Sequence, residues 1–360
     1  MSHFKLNSLL FVAAIAIMSV SCKDEEESTT LNYLDGTLRF ELPKFILPSE
    51  TITMVPSGIS HPDGGEIGYY WKVTPTMSSY DTTRFLNGLD SPFDSGKPSD
   101  GSFTHKFSDT LKLYTVYCYG YASDYTNSSA SMSTMIVKPG VNGSITEAGI
   151  DIEKDKYIIV DEEHHFYYTT IGKLDWFKQN LCYTEGGAPY VNESPMDGVF
   201  GRYYNYEEAL TACPDGWRLP TDAEWLEMIG TVDKDAKDLQ LHEPVSGVAA
   251  KLMVNAKFNG ERMWEYWPAV GEITNKSGLS IIPVGYANLG SKNEDGIYNK
   301  AKFTGANEYA VFWTADKVSD EEGTAYYRYL YCDQGDFLVG KGDMKSFGAS
   351  VRCVRETENQ

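Results

Sequence analysis

The chain has 360 residues and a formal net charge of −20, a length that fits two ordinary domains. So acidic a surface repels nucleic-acid phosphates and anionic headgroups, which excludes nucleic acid as a partner. Aromatic residues make up 13% of the chain, with 25 tyrosines, a content that suits β-rich packing or contact surfaces that are part apolar and part hydrogen-bonding.

An apolar run from Leu9 to Val20 follows a start that carries one lysine, Lys5. A bilayer span needs about 20 residues, so this shorter run reads as the core of a signal peptide over residues 1–21. It closes on Ser19-Val20-Ser21-Cys22, which resembles a bacterial lipobox with Ser19 where a leucine is commonest. That resemblance implies a lipid on Cys22, and so an anchor in the outer membrane without a transmembrane helix. Residues 22–33, with Lys23-Asp24-Glu25-Glu26-Glu27, read as a solvated acidic tether. An acidic run at this place resembles the export signal of surface lipoproteins of the Bacteroidetes type, which implies exposure at the cell surface.

From residue 34 to 138 short alternating segments are separated by Gly, Pro, Ser and Asp clusters. Residues 37–42, 51–55, 68–73, 111–119 and 131–137 are predicted strands. Together they predict an all-β sandwich of Ig-like or PKD-like kind, with Trp71 as its packing tryptophan and Cys118 as its one cysteine. Its expected role is that of a spacer. Residues 139–156 contain Pro139-Gly140 and Asn142-Gly143 and read as a linker.

The remainder, 157–356, mixes strands with two helices. The cluster Asp161-Glu162-Glu163-His164-His165 offers no metal site, because adjacent histidines on a strand point to opposite faces. Asn205 caps a helix over Tyr206–Cys213 with Glu208 at its third position, and Pro214 stops it. Thr221 caps a second helix with Glu224 reaching back, and Gly230 closes it. Further strands are predicted at 279–284, 309–314, 325–332 and 349–354. In 325–332 the alternation sets Tyr327, Tyr329 and Tyr331 against Tyr326, Arg328, Leu330 and Cys332, and one of these faces must be core.

Gly201-Arg202-Tyr203-Tyr204-Asn205-Tyr206, the stretch from Cys213 to Trp225 and the closing Ser350-Val351-Arg352-Cys353-Val354-Arg355 resemble the Fibrobacter succinogenes major paralogous domain. The resemblance covers roughly residues 160–356 and implies an α+β domain of C-type lectin-like fold. It implies a disulfide between Cys213 and Cys353, with Cys182 and Cys332 expected as a second pair and Cys118 left over. Calcium-dependent sugar binding of the lectin kind is not expected, because neither Glu243-Pro244-Val245 nor Trp313-Thr314-Ala315-Asp316 matches the lectin triplets. A looser resemblance to formylglycine-generating enzymes would call for reactive cysteines. Nothing around Cys182 or Cys332 supplies the basic neighbours or helix start that lower a thiol pKa. The chain is therefore expected to be no enzyme and to need no cofactor or metal.

What remains is a non-catalytic, lipid-anchored surface protein whose C-terminal domain takes a glycan or another extracellular ligand, the alternative being a structural component of a surface complex or pilus. Trp264, Tyr266, Trp267 and Trp313 are the expected ligand-binding aromatics.

Overall fold

The computed structural model describes residues 32–76, 101–109, 112–140, 149–162, 164–183, 186–237, 239–258, 261–264, 269–319 and 322–357. The leader, Cys22, residues 22–31 of the tether, Tyr266 and Trp267 lie outside them. Among the described residues the chain is mostly β-strand with few and short helices.

In the N-terminal part, Gly68–Thr76, Leu113–Tyr121 and Ser128–Ile136 form an antiparallel sheet, and Phe45–Ile46 joins Ser128–Ile136 in parallel. Strand Leu113–Tyr121 alternates buried and half-buried residues almost throughout, as a strand with one face on a core must. Shorter pairs, Asp35–Arg39 with Ser57–Ser60 and Thr51–Met54 with Phe103–Lys106, contribute Leu38, Met54 and Phe103 to the same core. Trp71 and Cys118 face each other in register and both are fully buried. The Trp71 indole N–H donates to the Gly101 carbonyl at 2.9 Å, so burying the ring strands no polar group. Asn32–Tyr33, predicted as tether, instead pair with Tyr125–Thr126, and buried Leu34 ties them down.

This sheet is docked on the rest of the chain. The amides of Lys44 and Phe45 donate to the two carboxylate oxygens of Glu193 at 2.8 and 2.6 Å. Val137 packs in one cluster with Met196 and Val199, and the Gly140 amide donates to the Gly198 carbonyl at 2.7 Å. The described ends of the predicted linker are therefore fixed, with Ile150 buried and Asp155 paired with Lys178.

The C-terminal part begins and ends in one sheet, in the order Lys156–Ile159, His165–Ile171, Leu174–Phe177 and Val354–Glu356, all antiparallel. A second sheet is made by Tyr309–Lys317, Thr324–Tyr331 and Leu338–Asp343. Both capping boxes form as the sequence predicts: Asn205 with Glu208, and Thr221 with Glu224. The first helix is shorter than predicted, Tyr206–Ala209, because the Thr211 amide turns back to the Glu208 carbonyl and tightens the chain before Cys213. The second runs Asp222–Val232, past Gly230. Gly230 does not close it but lies in its last turn, where a Cβ would stand 3.3 Å from the Leu239 side chain. The strand expected at 279–284 is absent among the described residues. Pro283 lacks a ladder donor, Arg352 takes the Leu279 carbonyl, and the strand forms later at Tyr286–Asn288.

The stretch between these helices holds the domain's two ends together. Cys213 is bonded to Cys353 with a Cα–Cα distance of 5.8 Å. Arg218 and Val354 exchange both backbone hydrogen bonds at 2.9 and 2.8 Å. The Trp217 ring lies 4.3 Å from that of Phe177 and 4.6 Å from the Arg355 guanidinium, and Trp225 meets Trp176 at 4.7 Å.

Candidate ligand-binding face

Two of the four expected ligand-binding aromatics are core residues. Trp264 is 1% exposed and its indole N–H donates to the Ile281 carbonyl at 3.1 Å. Trp313 is fully buried and donates to the Tyr204 carbonyl at 2.8 Å. Each ring has found a carbonyl for its one polar atom, which is what allows a tryptophan to be buried. Neither can stack on a ligand from solvent. Tyr266 and Trp267 lie outside the described residues.

The aromatic surface that does exist is on the second sheet. Cross-strand register places Tyr309 opposite Tyr331, Val311 opposite Tyr329 and Trp313 opposite Tyr327, so these six share one face. The other face, with Phe312, Arg328 and Leu330, is buried in the main core. The tyrosine face is graded along the strands. At the Trp313 end it is covered by Tyr204, Tyr206 and Phe347. Toward Tyr309, Tyr329 and Tyr331 it is only half-buried.

There the rings are ordered by one another. Tyr309 and Tyr331 stack at 4.3 Å with an interplanar angle of 11°, and Tyr286 meets Tyr309 edge-on at 5.9 Å. Glycine makes room at the sheet's border: a Cβ on Gly340 would stand 2.2 Å from the Tyr327 ring. Burial, aided for Tyr309 by its hydrogen bond with Tyr331, pushes the Tyr309 phenol up to about 12. Burial does the same to Tyr327, again to about 12. Tyr309 and Tyr327 thus keep neutral hydroxyls beside flat apolar rings at physiological pH.

The second expected disulfide is not formed. No bond joins Cys182 to Cys332, because they serve different clusters: Cys332 is in the main core with Leu330 and Phe337, and Cys182 packs near Leu181 and Tyr204. Cys182 is also a poor nucleophile. Burial, and then the charge of Asp197, push its thiol up to about 12. Cys118 is buried in the N-terminal core and its thiol is likewise pushed up to about 12 by burial.

Sequence reading missed a fully buried ion pair. Asp222, first residue of the second helix, accepts two hydrogen bonds from Arg328, one at 2.8 Å, and both side chains are fully buried. The same carboxylate accepts the His242 amide at 2.7 Å. An acidic residue at a helix start reads as a dipole partner, and nothing local announces an arginine 106 positions later.

The family model of the Fibrobacter succinogenes major domain matches residues 169–355, and the chain belongs to that family. No curated protein matches it. Among solved structures, a superoxide reductase (neelaredoxin) from Ignicoccus hospitalis is 13% identical over 31% of this chain and 87% of its own, with a TM-score of 0.21. Overlap so slight carries no argument about fold or chemistry.

Proposed function

We propose that this is a non-catalytic protein of the cell surface, anchored in the outer membrane through a lipid on Cys22, whose C-terminal domain binds a glycan. The observation that carries this reading is the half-buried face of Tyr309, Tyr329 and Tyr331 with Tyr286 beside it. Ordered rings that carry hydroxyls offer sugar rings an apolar surface and hydrogen bonds together. A C-type lectin-like architecture for this domain is supported by the pairing of its last strand with Leu174–Phe177, near the domain's start, and by the Cys213–Cys353 bond. An Ig-like or PKD-like module before it is supported by the antiparallel strands and the apolar core around Trp71. The raised thiols of Cys182 and Cys118 are not the low-pKa setting that a nucleophilic cysteine needs.

A glycan array probed with the mature chain carrying Cys22→Ser tests the reading, beside a Tyr309→Ala/Tyr329→Ala variant. The expected result is a bound glycan whose affinity falls by about tenfold or more in the variant, equivalent to about 1.4 kcal/mol, with the thermal midpoint of the main core retained. A native chain that binds no glycan would sink it. One observation favours the second reading, a component of a surface assembly: among the described residues Leu338–Asp343 is the border strand of its sheet, and a border strand can pair with another chain.

A further inference from the structure

A cleft of about 700 Å³ opens where the N-terminal sheet meets the C-terminal domain, built from residues other than those of the tyrosine face. Its volume is that of a small-molecule pocket, for which the usual range is ~300–1,000 Å³. One part of its wall is apolar, with Leu47, Ile150, Phe166, Val199 and Ile282, and the rest is polar, with Glu162, His165, Lys178 and Asp197 among its residues. One charged group inside it has no counterion among the described residues. Arg352 is 1% exposed and lines the cleft, yet its hydrogen bonds to the described residues go to neutral acceptors. Nε donates to the Asn180 side chain at 2.8 Å, and Nη1 to the carbonyls of Phe177 and Leu279 at 3.0 and 2.7 Å. Nη2, with two N–H groups, has the Ser280 carbonyl at 3.5 Å, at the limit of a hydrogen bond.

Asn180 and Ser280 line the cleft, whereas Phe177 and Leu279 do not. The guanidinium thus reaches the cleft wall through the acceptors of Nε and of the underused Nη2. Burial pushes the Arg352 pKa down to about 9, so the group keeps its charge at neutral pH. The nearest charged groups of the cleft are paired elsewhere: Lys178 with Asp155, and Asp197 with Arg202 at 3.1 Å. Glu162 is exposed at the rim. The contrast with Arg328 is direct, since that equally buried guanidinium has Asp222. Burying a charge without its partner is costly, and a ligand that brought the partner would recover part of the loss.

We propose that this cleft binds a small organic carboxylate, with its acid head on Nη2 of Arg352 and its apolar body against Ile150, Phe166, Val199 and Ile282. Calorimetric titration of the whole mature chain tests it, with hexanoate and benzoate, their primary amides, and sulfate at matched ionic strength. The expected result is saturable binding of at least one carboxylate, its amide and sulfate each weaker by about tenfold or more. Arg352→Gln would also remove carbonyl contacts that hold the fold, so the deciding variant is Ile282→Phe, which narrows the cleft at a residue that is no hydrogen-bond partner of Arg352, read only where its thermal midpoint matches that of the native chain. It should abolish the binding. No saturation by about 10 mM, equal affinity for the amide, equal affinity for sulfate, or unchanged affinity in Ile282→Phe would each overturn the proposal.

Discussion

The two halves of this molecule solve the same problem, how to hold a β-rich core, by different means. The N-terminal half relies on apolar packing around Trp71, and its one cysteine among the described residues, Cys118, is an unbonded core residue. The C-terminal half adds covalent and ionic ties: the Cys213–Cys353 bond, the buried Asp222–Arg328 pair and two capped helices. Hydrophobic packing is non-directional and tolerates exchange of similar side chains. Ties of the second kind fail when one partner is lost. The C-terminal half should therefore be sensitive to single polar changes that leave the N-terminal half untouched.

Cys353→Ser should cost the most. Opening a loop of 140 residues removes about 5 kcal/mol by the chain-entropy estimate. In calorimetry the transition of the C-terminal half should fall steeply while that of the N-terminal half stays in place. A shift of both transitions by the same amount would mean that the contact through Glu193 makes them one cooperative unit. Asp222→Ala comes next. It leaves Arg328 charged in the main core with the Glu243 carbonyl at 2.7 Å as its remaining acceptor among the described residues, and loss of one partner of a buried pair costs about 3–5 kcal/mol. Adding Arg328→Met should restore much of that loss, because an apolar side chain there has no charge to desolvate. A double variant no more stable than Asp222→Ala would show that the carboxylate acts through the His242 amide instead.

Those ties differ in how far the sequence announces them. Capping is local: Asn205 with Glu208 and Thr221 with Glu224 are three positions apart, and both boxes are legible without any knowledge of the fold. The Cys213–Cys353 bond is legible only through the family resemblance, and the Asp222–Arg328 pair not at all, since its partners are brought together by the whole topology. The candidate site was legible in part. Alternation places Tyr327, Tyr329 and Tyr331 on one face, but a strand does not record what covers each end of it, so Trp313 is buried on the same face where Tyr329 is half-exposed. Trp264 shows the same limit. An aromatic run in a loop reads equally as a plug or a platform, and the Ile281 carbonyl waiting for its indole N–H decides for the plug. Likewise Gly230 reads as a stop, yet the helix runs through it to Val232.

The smallest effect is a dependence on pH. Burial raises the Glu224 pKa, but the hydrogen bonds from Arg218 and from the Thr221 amide outweigh it, and the net result lies below the ordinary 4.5. The folded state then binds this proton more weakly than the unfolded chain. Its contribution is complete above 4.5 and is lost as the pH falls below that value through the depressed one. The magnitude is that of one cap with a half-exposed arginine, about 1 kcal/mol. Glu224→Gln keeps an oxygen to accept from the Thr221 amide but has no charge to titrate. The gap in stability between native chain and variant should therefore close as the pH falls through this window, and only in the transition of the C-terminal half. A gap that stays constant with pH would place the value of Glu224 in its hydrogen-bond geometry and not in its charge.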